Sequence, residues 1–244
     1  MAGKGRPLKL VIFEASLELV PRELARHPSV YKPAWRRGKK PEETLLDASL
    51  HHQAIRSGGI EDAGKRGRPD IVHIILLEAT SNPLVEQGVM DVYVHTIADY
   101  VLEIRPGTRL PRNYNRFVGL IEQLLTVGQV PPESDEPLIT ARPLSLSSLL
   151  RMLKPDEAIL YAWESGGEKA RVREVARRVA GRVQEGRRVA LLLPGYPQGA
   201  PSAKSLRALE GLPAARLYEP VARLEAWTLA SSTLSLIADE LNLL

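Results

Sequence analysis

The chain contains no cysteine. Disulfides and thiolate metal sites are thereby excluded, and a cytoplasmic location is the plain expectation. Long hydrophobic runs are lacking too: the longest apolar stretches are strand-sized, well short of a membrane span. The start, MAGKGRPLKLVIFEA, has basic residues, but its apolar run is brief and is broken by Glu14. It reads as a first strand, not a secretory signal. Five histidines occur (His27, His51, His52, His73, His95), without HExxH spacing or a cysteine to join them, so no metal is expected. There is no GxGxxG, no Walker lysine pattern and no GxSxG elbow. Those absences remove the common phosphate-binding fingerprints and serine-hydrolase chemistry.

What is present is an ordinary globular balance over 244 residues, 44% hydrophobic and 25% charged, enough for one large domain or two small ones. Net charge is +4, and its distribution is uneven. Residues 32–68 carry nine Lys/Arg against five Asp/Glu, and residues 105–116 carry four arginines with no acid, leaving the rest of the chain slightly acidic. Two basic islands on an acidic body suggest a localised polyanion surface. The competing explanation is solvated charge on a heat-stable protein.

Strand-like runs occur at 8–15, 70–79, 90–97, 100–106, 157–164, 188–195 and 215–220. Several are continuously apolar, as strands covered on both faces are. Helical periodicity falls at 16–26, 42–57, 112–127, 145–153, 168–185, 202–210 and 224–241. The alternation predicts an α/β fold with a mostly parallel sheet flanked by helices. Residues 31–69, rich in charge and turn formers, read as a basic arm or insertion carrying one helix, and 130–143 as a loop between two halves. The segment LEAWTLASSTLSLIADELNLL is apolar around most of a helical circumference, so it is buried in the core or against a partner.

Three segments offer chemistry. In RPGTRLPRNYNRF, Arg105, Arg109, Arg112 and Arg116 crowd the start of a predicted helix, with Pro111 suited to its first position. Cations are disfavoured there, because free N–H groups already make that end positive. If 109–116 is helical, Arg109, Arg112 and Arg116 share one face and repel, a cost that a phosphate backbone would remove. Tyr114 either stacks on a base or packs in the core. In KRGRPDIVHIILL, Arg66, Arg68 and Asp70 precede a predicted buried strand, and Pro69 restricts Arg68 to extended geometry. Asp70 lines a site there, caps a turn or pairs with an arginine. In LLLPGYPQG, Gly195 and Gly199 permit close backbone approach while Pro194 and Pro197 fix the loop, a pattern that serves a ligand or a plain turn.

The blocks LLDASLHH, RGRPDIVHIILL, NPLVEQGVMDVYVHT, RLPRNYNRFVGLIEQLL, LLLPGYPQG and LYEPVARLEAW occur in the order that resembles the small-subunit ribosomal RNA pseudouridine N1-methyltransferases of the SPOUT class, ribosome biogenesis proteins of archaea and eukaryotes. The resemblance spans almost the whole chain. It implies one SPOUT-like domain over 1–244 with the basic arm inserted, a C-terminal trefoil knot (a rare exception to unknotted chains), a homodimer and S-adenosylmethionine as methyl donor. The knot loops match Trp163–Gly166, Pro194–Gly199 and Leu217–Leu224, which implies cofactor contacts at Ser165, Pro194, Gly195, Gly199, Leu217, Tyr218, Glu219 and Leu224. Pro194 stands where relatives often have glycine, and the third loop is about two residues longer than in relatives. RNA contacts are implied at Arg68, Arg109, Arg112 and Arg116, with Arg66 beside them, and the matching aspartate is Asp70.

The expected chemistry is displacement at a methyl group by the N1 nitrogen of pseudouridine, which carries a proton because that base is joined to ribose through carbon. Asp70 would orient or accept this proton and Arg68 would hold the flipped base. Two other functions compete: a non-catalytic ribosomal RNA assembly factor using the same basic face, and a related transfer RNA methyltransferase.

Overall fold

Every residue of the first strand, Leu8–Ala15 (β1), is buried, as a strand must be when helices cover both faces of its sheet. Its side chains alternate: Leu8, Leu10 and Ile12 join one core cluster, Val11 and Phe13 another. The computed structural model describes residues 5–162, 167–220 and 224–244.

After β1 come α1 (Pro28–Arg36), α2 (Ala48–Ser57), α3 (Pro69–Thr80), α4 (Pro83–Glu86), β2 (Met90–Thr96) and β3 (Tyr100–Ile104). Then follow α5 (Tyr114–Val127), β4 (Gln129–Val130), β5 (Ile139–Pro143), α6 (Leu146–Leu153), β6 (Glu157–Ala162) and β7 (Glu168–Lys169). The chain ends with α7 (Val172–Gln184), β8 (Val189–Pro194), α8 (Ala203–Arg207), β9 (Ala214–Tyr218) and α9 (Ala226–Glu240). The described strands form one sheet in the order β4-β5-β3-β2-β1-β8-β6-β9-β7. From β2 through β7 the pairing is parallel, and β3, β5 and β4 extend one edge antiparallel. The expected mostly parallel α/β sheet is therefore present. Helices α3, α5, α7 and α9 cover one face; α6 and α8 cover the other. Among the described residues no helix is long and apolar enough to cross a membrane.

Several expectations are corrected. The predicted strand 70–79 is helix α3. Its buried residues include Ile71, Val72, Ile75, Leu76 and Ala79, a helical recurrence, while Ile74 and Glu78 face outward. A continuous apolar run does not separate a buried strand from a buried helix; Pro69 at the first position and Asp70 in the first turn favour the helix. The predicted helix 16–26 is extended and turn-like. Leu17, Val20 and Leu24 are buried at the expected spacing, but Pro21 has no N–H, Val20 donates to the Thr44 carbonyl and Leu46 donates to that of Glu18. The predicted helix 42–57 splits into a 3-10 turn at Pro41–Glu43 and α2, with extended residues between.

The arm holds two α-helices, and α1 begins at Pro28, before the predicted boundary at 31. It has a small core of its own, Val20, Leu24, Val30, Leu46, Ala54 and Ile55. The predicted loop 130–143 includes β5, whose Ile139 and Ala141 are buried. Helix α9 buries one stripe (Ala226, Leu229, Ala230, Thr233, Leu234, Ile237, Ala238), in the core of its own chain against α3 and α7.

Candidate functional site

The segment RGRPD is built around a close approach. Gly67 has φ +69°, and a Cβ there would lie 2.7 Å from Ile55 Cδ1 and 3.1 Å from the Ala48 nitrogen. Its carbonyl accepts from the Ala48 N–H at 2.7 Å, and the next amide, of Arg68, donates to Ser16 Oγ at 2.8 Å. These bonds fix Arg68 as the N-cap of α3, with Pro69 first and Asp70 in the first turn. The Arg68 guanidinium forks onto the carboxylate, Nε to Oδ1 at 2.9 Å and Nη2 to Oδ2 at 2.8 Å. Both side chains remain partly open to solvent, 35% and 42% exposed. The Asp70 hydrogen bond, together with its charge, holds the Arg68 pKa above its ordinary value against the opposing effect of burial.

The loop after β8 packs against the end of β1. Gly195 donates to the Phe13 carbonyl at 3.0 Å and its own carbonyl accepts from Ser16 at 2.8 Å. A Cβ on it would strike Ile12 Cγ2 at 2.7 Å and Ala15 Cα at 2.8 Å. Tyr196 is fully buried, edge-on to Phe13. Above its ring, 4.5 Å from the centroid, sits the ammonium of Lys65, which donates to Glu14 Oε2 at 2.7 Å and to the Ala200 carbonyl at 2.6 Å. Glu14 has φ +47° and also accepts from the Ser202 amide at 2.7 Å. Burial alone would raise its pKa; the hydrogen bonds from Lys65, Ser205 and Ser202 outweigh it and hold the carboxyl below its ordinary value.

Arg68 and this loop border one open cleft of about 440 Å³, lined also by His52, Arg56, Arg66, Pro197 and Gln198. Its walls come from α2, the turn at 63–66, the N-cap of α3 and the loop after β8.

The arginine segment differs from its prediction. Helix α5 starts at Tyr114, because Asn113 takes the N-cap role, its side chain accepting from the Arg116 amide at 3.1 Å. Pro111 lies outside the helix, and its carbonyl accepts from His73 Nε2 at 2.7 Å. His73 in turn stacks on Phe117 with centroids 4.2 Å apart. Only Arg116 is therefore helical; Arg109 and Arg112 lie on the approach, so no shared helical face forms. All three are exposed, and among the described residues none has a carboxylate within 4.0 Å. Tyr114 is half-buried and donates to Asp47 Oδ2 at 2.5 Å, and that carboxylate also caps α2.

Four other cations in the two islands are engaged within the fold. Arg66 forks onto the buried Glu18 carboxylate, its Nε at 2.7 Å. Arg105 pairs with Glu136 at 2.8 Å. Arg37 and Lys39 converge on Glu122, which is 1% exposed and also accepts from the Leu45 amide at 3.1 Å. Sequence reasoning missed Glu14, Glu18 and Glu122; the available signal was a carboxylate set within an apolar pattern.

Of the predicted cofactor residues, Ser165 lies outside the described residues, with the rest of the loop at 163–166. Pro194, Gly195 and Leu217 are buried, Gly199 has φ +96°, and Leu224 packs on the main core. Tyr218 pairs in register with Ala162 on one side and Lys169 on the other. Glu219 is buried, its carboxylate accepting from Tyr161 Oη at 2.9 Å and the Val172 amide at 3.1 Å. Strands β6, β8 and β9 are parallel neighbours, so their C-terminal ends lie at one end of the sheet. Among the described residues no group of three or more His, Asp or Glu could hold a metal ion.

The model of the EMG1/NEP1 methyltransferase family matches residues 10–235. A protein of Staphylothermus marinus named ribosomal RNA small subunit methyltransferase Nep1 is 50% identical over 163 residues, 67% of this chain and 70% of that one. The Thermococcus kodakarensis protein of the same name is 40% identical over 93% of this chain and 96% of its own length. The crystal structure of Archaeoglobus fulgidus Nep1 bound to S-adenosylhomocysteine superposes with a TM-score of 0.80 at 33% identity, covering 97% of this chain and 98% of that one.

Proposed function

Because the chain belongs to the EMG1/NEP1 methyltransferase family, we propose that it methylates the N1 nitrogen of a pseudouridine in small-subunit ribosomal RNA during ribosome biogenesis. The methyl donor is S-adenosylmethionine: the Archaeoglobus relative binds S-adenosylhomocysteine, the product this donor leaves behind. The residues present suit such a donor. Loops rich in glycine and proline offer backbone groups at one end of the sheet, and Gly199 adopts a φ that side chains disfavour. Backbone of 195–199 and 217–220 would hold it, and when bound it supplies an electrophilic methyl carbon.

The observation that carries the reading is the cleft shared by Arg68, Pro197 and Gln198, which brings the arginine of RGRPD beside the donor loop. Each residue's role follows from its setting. Arg109, Arg112 and Arg116, which have no carboxylate partner among the described residues, grip phosphates. Arg68, held in a fork but partly exposed, presents its remaining N–H groups to the carbonyls of a flipped base, where negative charge grows as N1 reacts. Asp70 orients the N1–H and accepts its proton, giving up one bond to Arg68 as it does so. Positioning of nitrogen against methyl carbon supplies much of the acceleration. On this reading the enzyme is a cytoplasmic homodimer whose C-terminal part is knotted.

The test uses a hairpin of small-subunit ribosomal RNA carrying one pseudouridine, against the same hairpin with uridine. Methylation of the pseudouridine hairpin alone is expected, and equal methylation of both refutes the specificity. Asp70→Asn is expected to lower the rate about 10²-fold or more with RNA affinity kept; an undiminished rate removes Asp70 from the chemistry. Failure of the purified protein to bind S-adenosylmethionine in calorimetry would favour an assembly factor.

A further inference from the structure

Helix α1 buries Val30 and Ala34 and turns the opposite stripe to solvent: Pro28, Tyr31, Lys32, Trp35 and Arg36. These positions recur at helical spacing, so they form one face. Trp35 is 79% exposed and Tyr31 44%. Between Glu23 and Glu42 the chain has six Lys/Arg and no acid. Arg37 and Lys39 are bound by Glu122, and Lys40 by Glu43. Lys32 and Arg36, which flank the two aromatic rings, have no carboxylate within 4.0 Å among the described residues. Pro33, Ala34 and Arg37 of this segment share a cleft of about 380 Å³ with Tyr114, Asn115 and Val118 of α5. The helix that carries the stripe therefore flanks the first turn of α5, with the stripe turned away from the shared cleft.

We propose that this face of α1 binds single-stranded RNA next to the target hairpin, with bases stacked on Trp35 and Tyr31 and phosphates held by Lys32 and Arg36. The inference deepens the proposed function and rests on it. Charge complementarity selects this occupant. Two cations without a carboxylate partner among the described residues would be costly at the core of a protein contact, where charge is depleted, whereas exposed rings alternating with such cations match a stacking platform along a phosphate backbone. Stacking needs no base identity, so the face lengthens the footprint without adding sequence preference.

Affinity is measured for two pseudouridine hairpins, one bare and one with a five-nucleotide single-stranded extension at either end. Wild-type protein should bind the extended RNA more tightly and lose tryptophan emission as it does. Trp35→Ala should remove that quenching, weaken the extended RNA roughly 5- to 150-fold and leave binding and methylation of the bare hairpin unchanged, while Trp35→Phe should restore the affinity without the quenching. Lys32→Ala with Arg36→Ala should lower the salt slope on the extended RNA by about 0.7 each. Equal wild-type affinity for both RNAs overturns the inference and spares the proposed function; binding of neither overturns both. Sedimentation of Trp35→Ala as a smaller species than wild type would make the face a subunit contact, and also overturns the inference.

Discussion

Glu14→Gln tests whether the buried Glu14–Lys65 pair holds the segment after β8 in place. The substitution keeps the shape of the side chain and removes its charge. Both side chains are nearly inaccessible, 6% and 9% exposed, so the Lys65 ammonium is left with the Ala200 carbonyl, the Tyr196 ring and a neutral amide. Removing one member of a buried pair costs about 3–5 kcal/mol. Glutamine keeps one acceptor oxygen and turns an amide NH2 toward the other donor, since Lys65 and Ser202 bond to different oxygens of Glu14, so the full range is expected, or a Tm lower by roughly 6–20 °C for a chain of this size. The double variant Glu14→Gln/Lys65→Met should recover part of that loss, since no charge is then stranded. Acid dependence provides a second readout. The folded carboxyl lies below its ordinary 4.5, so its contribution is full above that pH and is lost as the pH falls through the folded value. The variant should lack this portion of the acid limb. On the proposed function, calorimetry should also show weaker S-adenosylmethionine binding with hairpin affinity retained, because Ala200 and Ser202 directly follow the 195–199 loop and Arg109, Arg112 and Arg116 lie elsewhere. A Tm within about 1 °C of wild type, together with additive single variants, would refute the reasoning.

Two further outcomes separate structural from RNA-facing groups. Arg109→Ala, Arg112→Ala and Arg116→Ala should each reduce the salt slope of hairpin binding by about 0.7 to 0.9 with little effect on Tm, whereas Arg66→Ala, which strands the buried Glu18, should lower Tm and leave the slope unchanged. Tyr114→Phe removes a hydrogen bond to the Asp47 carboxylate and should cost about 1.5–3 kcal/mol in denaturant unfolding; a large loss of RNA affinity without a loss of stability would instead assign Tyr114 to base stacking.

The layout of the sheet was legible in the sequence because β1, β8 and β6 are continuous apolar runs between turn formers. Helix α3 was misread for the same reason: a run buried on nearly all sides loses the periodicity that distinguishes the two structures, and only Pro69 and Asp70 marked its start. The arginine cluster was legible as charge and illegible as geometry. Which cations stay unengaged depends on Glu18, Glu122 and Glu136, and the pair Arg37–Glu122 spans 85 positions. No local pattern reports such a partner. The N-cap at Asn113, by contrast, is a local signal, and it moves the helix start past Pro111.

Strand β1 lies between β2 and β8, and its Leu8–Phe13 segment pairs in register with Val189–Pro194. The first strand made is thus among the last to be completed. During synthesis at ordinary rates, on the order of ten seconds or more separates the emergence of the two partners, and until then an apolar strand with an open edge waits on the nascent chain. A product that stops before β8 cannot close that edge, however well its arm and α3 have formed. The same delay orders the proposed functional parts in time: Arg109, Arg112 and Arg116 are synthesised well before the loop at 195–199.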